Sequence, residues 1–303
     1  VTAHLAAIGC QVGVVDDFSR GTLEKLEPAF GHGLAKEDVF PVDVTDPELV
    51  DVISDWRPEV VVHLAAQARV LPSLADPDHD ARVNVLGTIN VIRAILRTPA
   101  ARLVLASSGG AVYGNLHPGL SKADELFVGT PISPYGVSKL AAELYATAYR
   151  QTAGLNVTTL RLGNVYGRAT CGGPGEGVVA AFALALSQGH QPTIFGDGGQ
   201  LRDYVHVRDV AHAFGLACRS GINTGVNIAS GVAHSVNEIF AMVNAMLPPS
   251  MAPRYLPANP GEVDRICLDP SRAGQLLGWQ ARTSLEEGVR DVIEHLAPTA
   301  GSA

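Results

Sequence analysis

The sequence predicts an α/β fold, a doubly wound parallel sheet followed by a smaller α/β C-terminal lobe. Two observations carry this. Short, almost wholly apolar runs recur through the first half of the 303 residues, and strands this apolar are buried on both faces, as in parallel sheets covered by helices. Segments with helical periodicity stand between them, and right-handed crossovers then wind the sheet in both directions.

Val1–Ile8 reads as the back part of an amphipathic helix, with Leu5 and Ile8 on one face and Gly9 as its terminator. Strands are expected over "QVGVV", "DVFPVDV", "VVVHLAA", "RLVLASS" and "NVTTLRLGN". Helices are expected over Pro47–Trp56, Ala81–Leu96 and Pro134–Ala153. After Asn164 the regularity weakens. "GVVAAFALALSQG", "SVNEIFAMVNAML" and "SLEEGVRDVIEHL" look helical, while strands shorten and loops lengthen. The expected division is a sheet domain over 1–165 and a second lobe over 166–303, some of whose segments return to the first domain. Function belongs in the cleft where strand ends face that lobe.

Lys plus Arg is 22 against 30 Asp plus Glu, a net charge of −8. With no basic cluster in that balance, nucleic acid and anionic membranes are poor partners. The longest apolar run, "VVAAFALAL", is too short to span a bilayer. Cys10, Cys171, Cys218 and Cys267 are far apart and form no CxxC or Cys/His cluster. They read as small buried hydrophobes in a reducing cytoplasm, and no metal site is expected.

Four stretches carry chemistry. Asp16 closes the "VGVVD" strand, and helix, turn, strand, acid is the second half of a Rossmann-like dinucleotide-binding unit. An acid there accepts hydrogen bonds from the adenosine ribose and favours NAD over NADP; a turn cap is the plainer alternative. In "VVVHLAAQA", Ala65, Ala66 and Ala68 follow a buried strand and let a ligand approach the backbone, although tight packing asks for the same small residues. In "SSGGAVYG", Ser107 and Ser108 end a strand where hydroxyls can reach the cleft or shape a turn. In "SPYGVSK", Ser133 is the expected N-cap, Pro134 the first helical residue, and Tyr135 lies in the first turn with Lys139 one turn on. Tyrosine acting as a base near neutrality needs its pKa lowered by about three units, roughly 4 kcal/mol. A lysine ammonium, the helix dipole and an oxidised nicotinamide ring all push that way.

With "HLAAQA" and "DARVNVLGTINV" before this pair and "GDGGQLRDYVHVRDVA" after it, the chain resembles the extended short-chain dehydrogenase/reductase family. Within it, the sequence is most similar to nucleotide-sugar epimerases of the UDP-glucose 4-epimerase type, from Val1 almost to His295. The resemblance implies a bound NAD, a UDP-sugar substrate and C4 epimerisation through a transient 4-keto sugar. Tyr135 would take the 4-hydroxyl proton, and Lys139 would tune it and hold the nicotinamide ribose. Asp16 and Asp17 would hold the adenosine ribose, and Asp43 and Val44 the adenine edge. Leu64, Ala65, Ala66, Ala68, Asn84 and Ser107 would complete the cofactor site. On the substrate side stand Ser108, Asn164, Arg202, Glu262, Arg265 and Ile266. Arg202 would clamp the diphosphate, and Ile266 occupies the position that gates N-acetylated sugars in relatives. Relatives are homodimers through the helices near Ala81–Leu96 and Pro134–Ala153.

Three departures stand out. The serine usually aligned as catalytic falls on Gly109, so Ser108 must supply the hydroxyl. The arginine before "PGE" is Asn259, with Arg265 as its nearest replacement. Aligned without a gap, Val1 falls inside the first helix, so about 15 residues of the family pattern, including the glycine turn that holds the pyrophosphate, are expected upstream of it. Sister activities ask for more in this stretch: a 4,6-dehydratase uses an Asp–Glu pair where Gly109, Gly110 and Ala111 stand, and a decarboxylase usually a glutamate at Ala111. Another nucleotide-sugar enzyme of the family, or a non-catalytic NAD-binding protein on the same fold, remain the alternatives.

Overall fold

The computed structural model describes residues 1–98, 101–168 and 177–296; Cys171 lies outside them. The first half runs α1 (Thr2–Ala7), β1 (Val12–Val15), β2 (Leu34–Phe40), α2 (Glu48–Trp56), β3 (Val60–His63), α3 (Val70–Ala75), α4 (Pro77–Ala81), a π-helical turn (Arg82–Leu86), α5 (Gly87–Arg97), β4 (Arg102–Ser108), α6 (Gly109–Val112) and α7 (Pro134–Ala153). Then follow β5 (Val157–Leu162), β6 (Asn164–Tyr166), α8 (Val178–Ser187), β7 (Thr193–Phe195), β8 (Leu201–His206), α9 (Val207–Arg219), β9 (Gly225–Ile228), β10 (Ala233–Ser235), α10 (Val236–Met246), β11 (Arg254–Leu256), α11 (Ser271–Leu277) and α12 (Leu285–Leu296).

The central sheet is parallel with order β3–β4–β5–β9, and β1 pairs with β2 in a second parallel sheet. Why β4 is apolar without alternation is visible in its packing. Leu103 and Leu105 face the core formed with α2 and α5, while Val104 and Ala106 face the core formed with α9 and α11. Both faces are buried, so period 2 leaves no polar side. Val15 of β1 and Phe40 of β2 pack into the first of these cores, and Val1, ahead of α1, into the second. A third core joins α8, α10 and α12 around Phe182, Ile194, Ile239 and Val289.

Several elements differ from expectation. The strand read over "DVFPVDV" ends at Phe40 and begins at Leu34. Pro41 has no N–H for a ladder, and the Val42 N–H turns back to the Phe40 carbonyl at 2.9 Å. The helix read over Ala81–Leu96 is three pieces, with the π turn in the middle. "NVTTLRLGN" divides at Gly163: β5 stays in the central sheet, and β6 joins β8 and β10. A Cβ at Gly163 would sit 2.8 Å from the Asp203 carbonyl, so only glycine lets the chain pass this close to β8. Cys267 is buried, whereas Cys10 and Cys218 are only partly so. Among the described residues no helix is long and apolar enough to cross a membrane.

Candidate active site

The site gathers where β4 ends and α7 begins. The Ser133 hydroxyl accepts the Gly136 N–H at 3.2 Å and Pro134 occupies the first turn, so the helix starts where its cap residues dictate. A Cβ at Gly136 would lie 2.7 Å from the Ala111 carbonyl, which brings this turn hard against α6. From α3, the Ser73 hydroxyl accepts the Tyr135 N–H at 3.1 Å. The Tyr135 phenol hydrogen-bonds the Ser108 side chain. Ser107 points elsewhere: it is buried and donates to Glu143. Of the two serines, Ser108 is therefore the one beside the phenol.

Burial raises the Tyr135 pKa above its ordinary value; the Ser108 hydrogen bond pulls it down, and Asp80 pushes it up. The protein's own groups thus hold the phenol protonated. Lys139 is buried, and burial lowers its pKa to about 8 even though Glu143 and Asp80 pull it back up. Burial and Lys139 together push His63 down to about 3, so it is neutral and hydrogen-bonds Thr88 at 3.0 Å.

Asn84 sits in the π turn, a form of helix frequent at functional sites. Its carboxamide accepts the Gln67 N–H at 2.8 Å and donates to the Gln67 carbonyl, Asp80 and Ser138. With these bonds it ties the 64–68 loop to α7, shaping the cofactor side by holding backbone rather than by offering its amide. Leu64, Ala65 and Ala68 are exposed beyond the end of β3, and Ala66 is half-buried. Asp16 and Asp17 are exposed beyond β1, each capping its own turn through Oδ1. Asp43 caps Thr45 at 2.6 Å beyond β2, and the Val44 carbonyl accepts the Asn90 amide at 3.0 Å. Acids thus follow β1 and β2 and small residues follow β3, the residue types that suit a dinucleotide bound at strand ends.

On the other side, Gly110 lies between Asn164 and Ser108. A Cβ there would lie 3.2 Å from Asn164 Oδ1 and 3.9 Å from Ser108 Oγ. Gly109 is glycine for a different reason, since its Cβ would meet Leu268 at 2.5 Å. Arg202, little exposed, lies 4.0 Å from Glu262, which Asn259 holds at 2.9 Å. Gly261, at φ +74°, sets the loop down on Val70, Leu74 and Ser133, so the Arg202–Glu262 pair leans on the start of the Tyr135 helix. Arg265 is exposed beside it, its strand bridge to Leu201 placing it next to Arg202. Ile266 does not line the opening: it is 1 % exposed and packed with Val112, Tyr113 and Leu268.

Sequence reasoning missed Glu143, Arg161 and Asp80. Glu143 stands four residues after Lys139, on the same helix face, and a carboxylate continuing a Tyr/Lys stripe was a readable signal. Arg161 grips it through Nε and Nη2, the latter at 2.7 Å.

Parallel strands with acids beyond β1 and β2, and with Tyr, Lys and Ser brought together where β4 ends, define a short-chain dehydrogenase/reductase. More narrowly, the chain belongs to the GDP-mannose 4,6-dehydratase family, whose profile residues 1–292 match. It is 36 % identical over 295 residues to a UDP-glucose 4-epimerase of Mycolicibacterium smegmatis, covering 96 % of this chain and 92 % of that protein. Its fold is similar to the Thermotoga maritima UDP-glucose 4-epimerase with UDP-glucose, at TM-score 0.91, 34 % identity and coverage of 98 % and 94 % of the two chains. The Thermus thermophilus UDP-glucose 4-epimerase in complex with NAD superimposes at TM-score 0.88, with 35 % identity and coverage of 98 % and 96 %.

Proposed function

We propose that this protein is an NAD-dependent nucleotide-sugar epimerase acting at C4, with UDP-glucose and UDP-galactose as its substrate pair. The observation that carries the reading is Tyr135 at the start of α7 with Ser108 beside its phenol and buried Lys139 one helical turn on, and with Gly109, Gly110 and Ala111 where a dehydratase needs acids. Such a site moves one proton at one hydroxyl and has nothing to eliminate water with.

NAD, when bound, supplies a hydride acceptor and donor at C4 and a positive charge beside the phenol. With that charge in place Tyr135 would lose its own proton to solvent, and as phenolate it takes the 4-hydroxyl proton and later returns it; Ser108 holds that oxygen in line. Lys139 bonds the nicotinamide ribose and keeps a cation under the phenolate. Asp16 and Asp17 hold the adenosine ribose, while Asp43 and Val44 hold the adenine edge. Ala65 and Ala66 admit the phosphates. Across the cleft Arg202 faces the substrate diphosphate, with Arg265 beside it and Asn164 on the sugar. Val137, Leu144 and Tyr145 of α7, with Leu86 nearby in sequence to α5, present apolar surface to solvent, which supports a homodimer built on these helices. Cys10, Cys218 and Cys267 are free thiols, in keeping with a reducing cytoplasm.

The test is direct: incubate the protein with NAD and UDP-galactose and follow UDP-glucose formation. Appearance of a 4-keto-6-deoxy sugar from UDP-galactose would overturn the reading in favour of a dehydratase, and, in a parallel incubation with UDP-glucuronate, release of CO2 with a pentose nucleotide would overturn it in favour of a decarboxylase.

A further inference from the structure

The Tyr135–Lys139 pair continues one turn further than the reaction requires. Glu143 is buried, yet it is a carboxylate with both oxygens engaged. Oε1 accepts the Ser107 hydroxyl, and the Arg161 Nε lies 3.1 and 3.0 Å from Oε1 and Oε2. Arg161 in turn reaches the Tyr113 hydroxyl at 2.9 Å, which donates to Asn227 at 2.8 Å. A chain of polar groups thus crosses β4, β5 and β9 beneath the site. If its purpose were only to hold α7 to β5, an apolar contact of the same volume would serve as well, because buried ion pairs add little net stability. Glu143 says otherwise: it bonds Ser107, the residue next to Ser108, and it lies one helical turn from Lys139.

We propose that Glu143 is a positioning residue for this site: through Ser107 it fixes the carboxyl end of β4, and hence Ser108, and its charge keeps Lys139 an ammonium. The first half follows from register. Ser107 and Ser108 are consecutive on β4, paired with Arg161 and Leu162, so anchoring Ser107 to Glu143 and Arg161 anchors its neighbour against Tyr135. The second half follows from what faces Lys139. Glu143 on α7 and Asp80 on α4 both favour its charged form. His63 on β3 is neutral, and the Tyr135 phenol is protonated. Arg161 on β5 lies beyond Glu143, to which it is bonded, and Arg82 of the π turn is exposed. Glu143 is the largest of the influences that oppose burial at Lys139. Asp80 acts differently, because it also works against ionisation of Tyr135. Of the two carboxylates, only Glu143 supports the lysine without opposing the tyrosine.

The inference deepens the proposed function, and its test separates the two. Lysine labelled with 13C at Cε is incorporated into the full chain, the Lys139 resonance is assigned with Lys139→Arg, and its shift is followed with pH without substrate. The wild-type midpoint is expected near 8. Glu143→Gln is expected to lower it by about one unit or more, and Glu143→Asp, which keeps the charge, to leave it within a few tenths. The alkaline limb of UDP-galactose turnover moves down with the midpoint, because activity is lost where Lys139 deprotonates. Ser107→Ala is expected to lower kcat by about five- to tenfold with the Lys139 midpoint unmoved. If Glu143→Gln does not fold, leaving Arg161 unpaired, Glu143→Gln with Arg161→Met removes both charges and still lowers the midpoint. An unmoved midpoint in the Gln variants, or a wild-type kcat in Ser107→Ala, overturns the inference. A wild-type protein that titrates as stated but does not interconvert the sugars overturns the proposed function and leaves the titration result standing.

Discussion

The corner between β4 and α7 and the edge formed by Arg202, Glu262 and Arg265 face the same cleft, but they are assembled by different physics. At the corner, the key side chains come from one helix and one strand end. Cap chemistry and the 3.6-residue period set their relation: Ser133 starts the helix, Tyr135 follows at once, and Lys139 and Glu143 repeat on its face. At the edge, Arg202 meets Glu262 across a long stretch of sequence, and the meeting depends on where the Gly261 loop lands and on the Leu201–Arg265 bridge. A local rule builds the first region; long-range docking builds the second. Damage at the corner should therefore remove turnover, whereas damage at the edge should weaken binding or alter preference.

The largest expected effect tests the corner. Tyr135→Phe deletes the only hydroxyl proposed to move the substrate proton, and kcat should fall by about 10²–10⁴-fold, with UDP-sugar affinity by calorimetry nearly unchanged. More than about a third of wild-type kcat would break the assignment. Arg202→Ala tests the edge: KM for UDP-galactose should rise by about 10- to 100-fold, the worth of charge-assisted hydrogen bonds to a diphosphate, with kcat little altered. A loss confined to kcat would place Arg202 with the corner instead.

Smaller effects sharpen the boundary between the regions. Gly109→Ser restores the hydroxyl of the family pattern, but its Cβ meets Leu268 at 2.5 Å. Urea unfolding should show a loss of about 1–3 kcal/mol from overpacking, and no gain in kcat, since Ser108 already serves Tyr135. Ile266→Val removes one methyl from a side chain 1 % exposed. Stability should fall by about 0.5–1.5 kcal/mol, and the preference for UDP-N-acetylglucosamine over UDP-glucose should rise by less than about threefold. A rise of tenfold or more, the scale of a direct contact with substrate, would show that this residue reaches the sugar.

The same contrast explains what could be read from the sequence. α7 was legible to the residue because caps, periodicity and the Gly154 terminus all lie within it, and β4 because its apolar run is unbroken. Tyr135, Lys139 and Ser108 came with them. Ile266 was legible only as a position in a pattern, and nothing local says that its side chain turns into the core formed with Tyr113 and Leu268. Asn84 was recognised, but the π turn that aims it at Gln67 and Ser138 has no signature in "DARVNVLGTINV". The Glu143 carboxylate, continuing the Tyr135–Lys139 stripe, was readable and went unread, whereas Arg161 had no local signal, because its burial is a property of three packed elements.

The passage of the chain through Gly163 has a mechanical consequence. Leu162 lies beside Ser108 in one ladder, and Asn164 lies beside Tyr204 in another. The Ser108 hydroxyl and the Asn164 carboxamide, proposed to steady the proton transfer and to meet the sugar, are therefore separated by one strand pairing and two peptide links. That spacing is set by the backbone held between two ladders rather than by side-chain rotamers, so repacking of the side chains around the site leaves it unchanged.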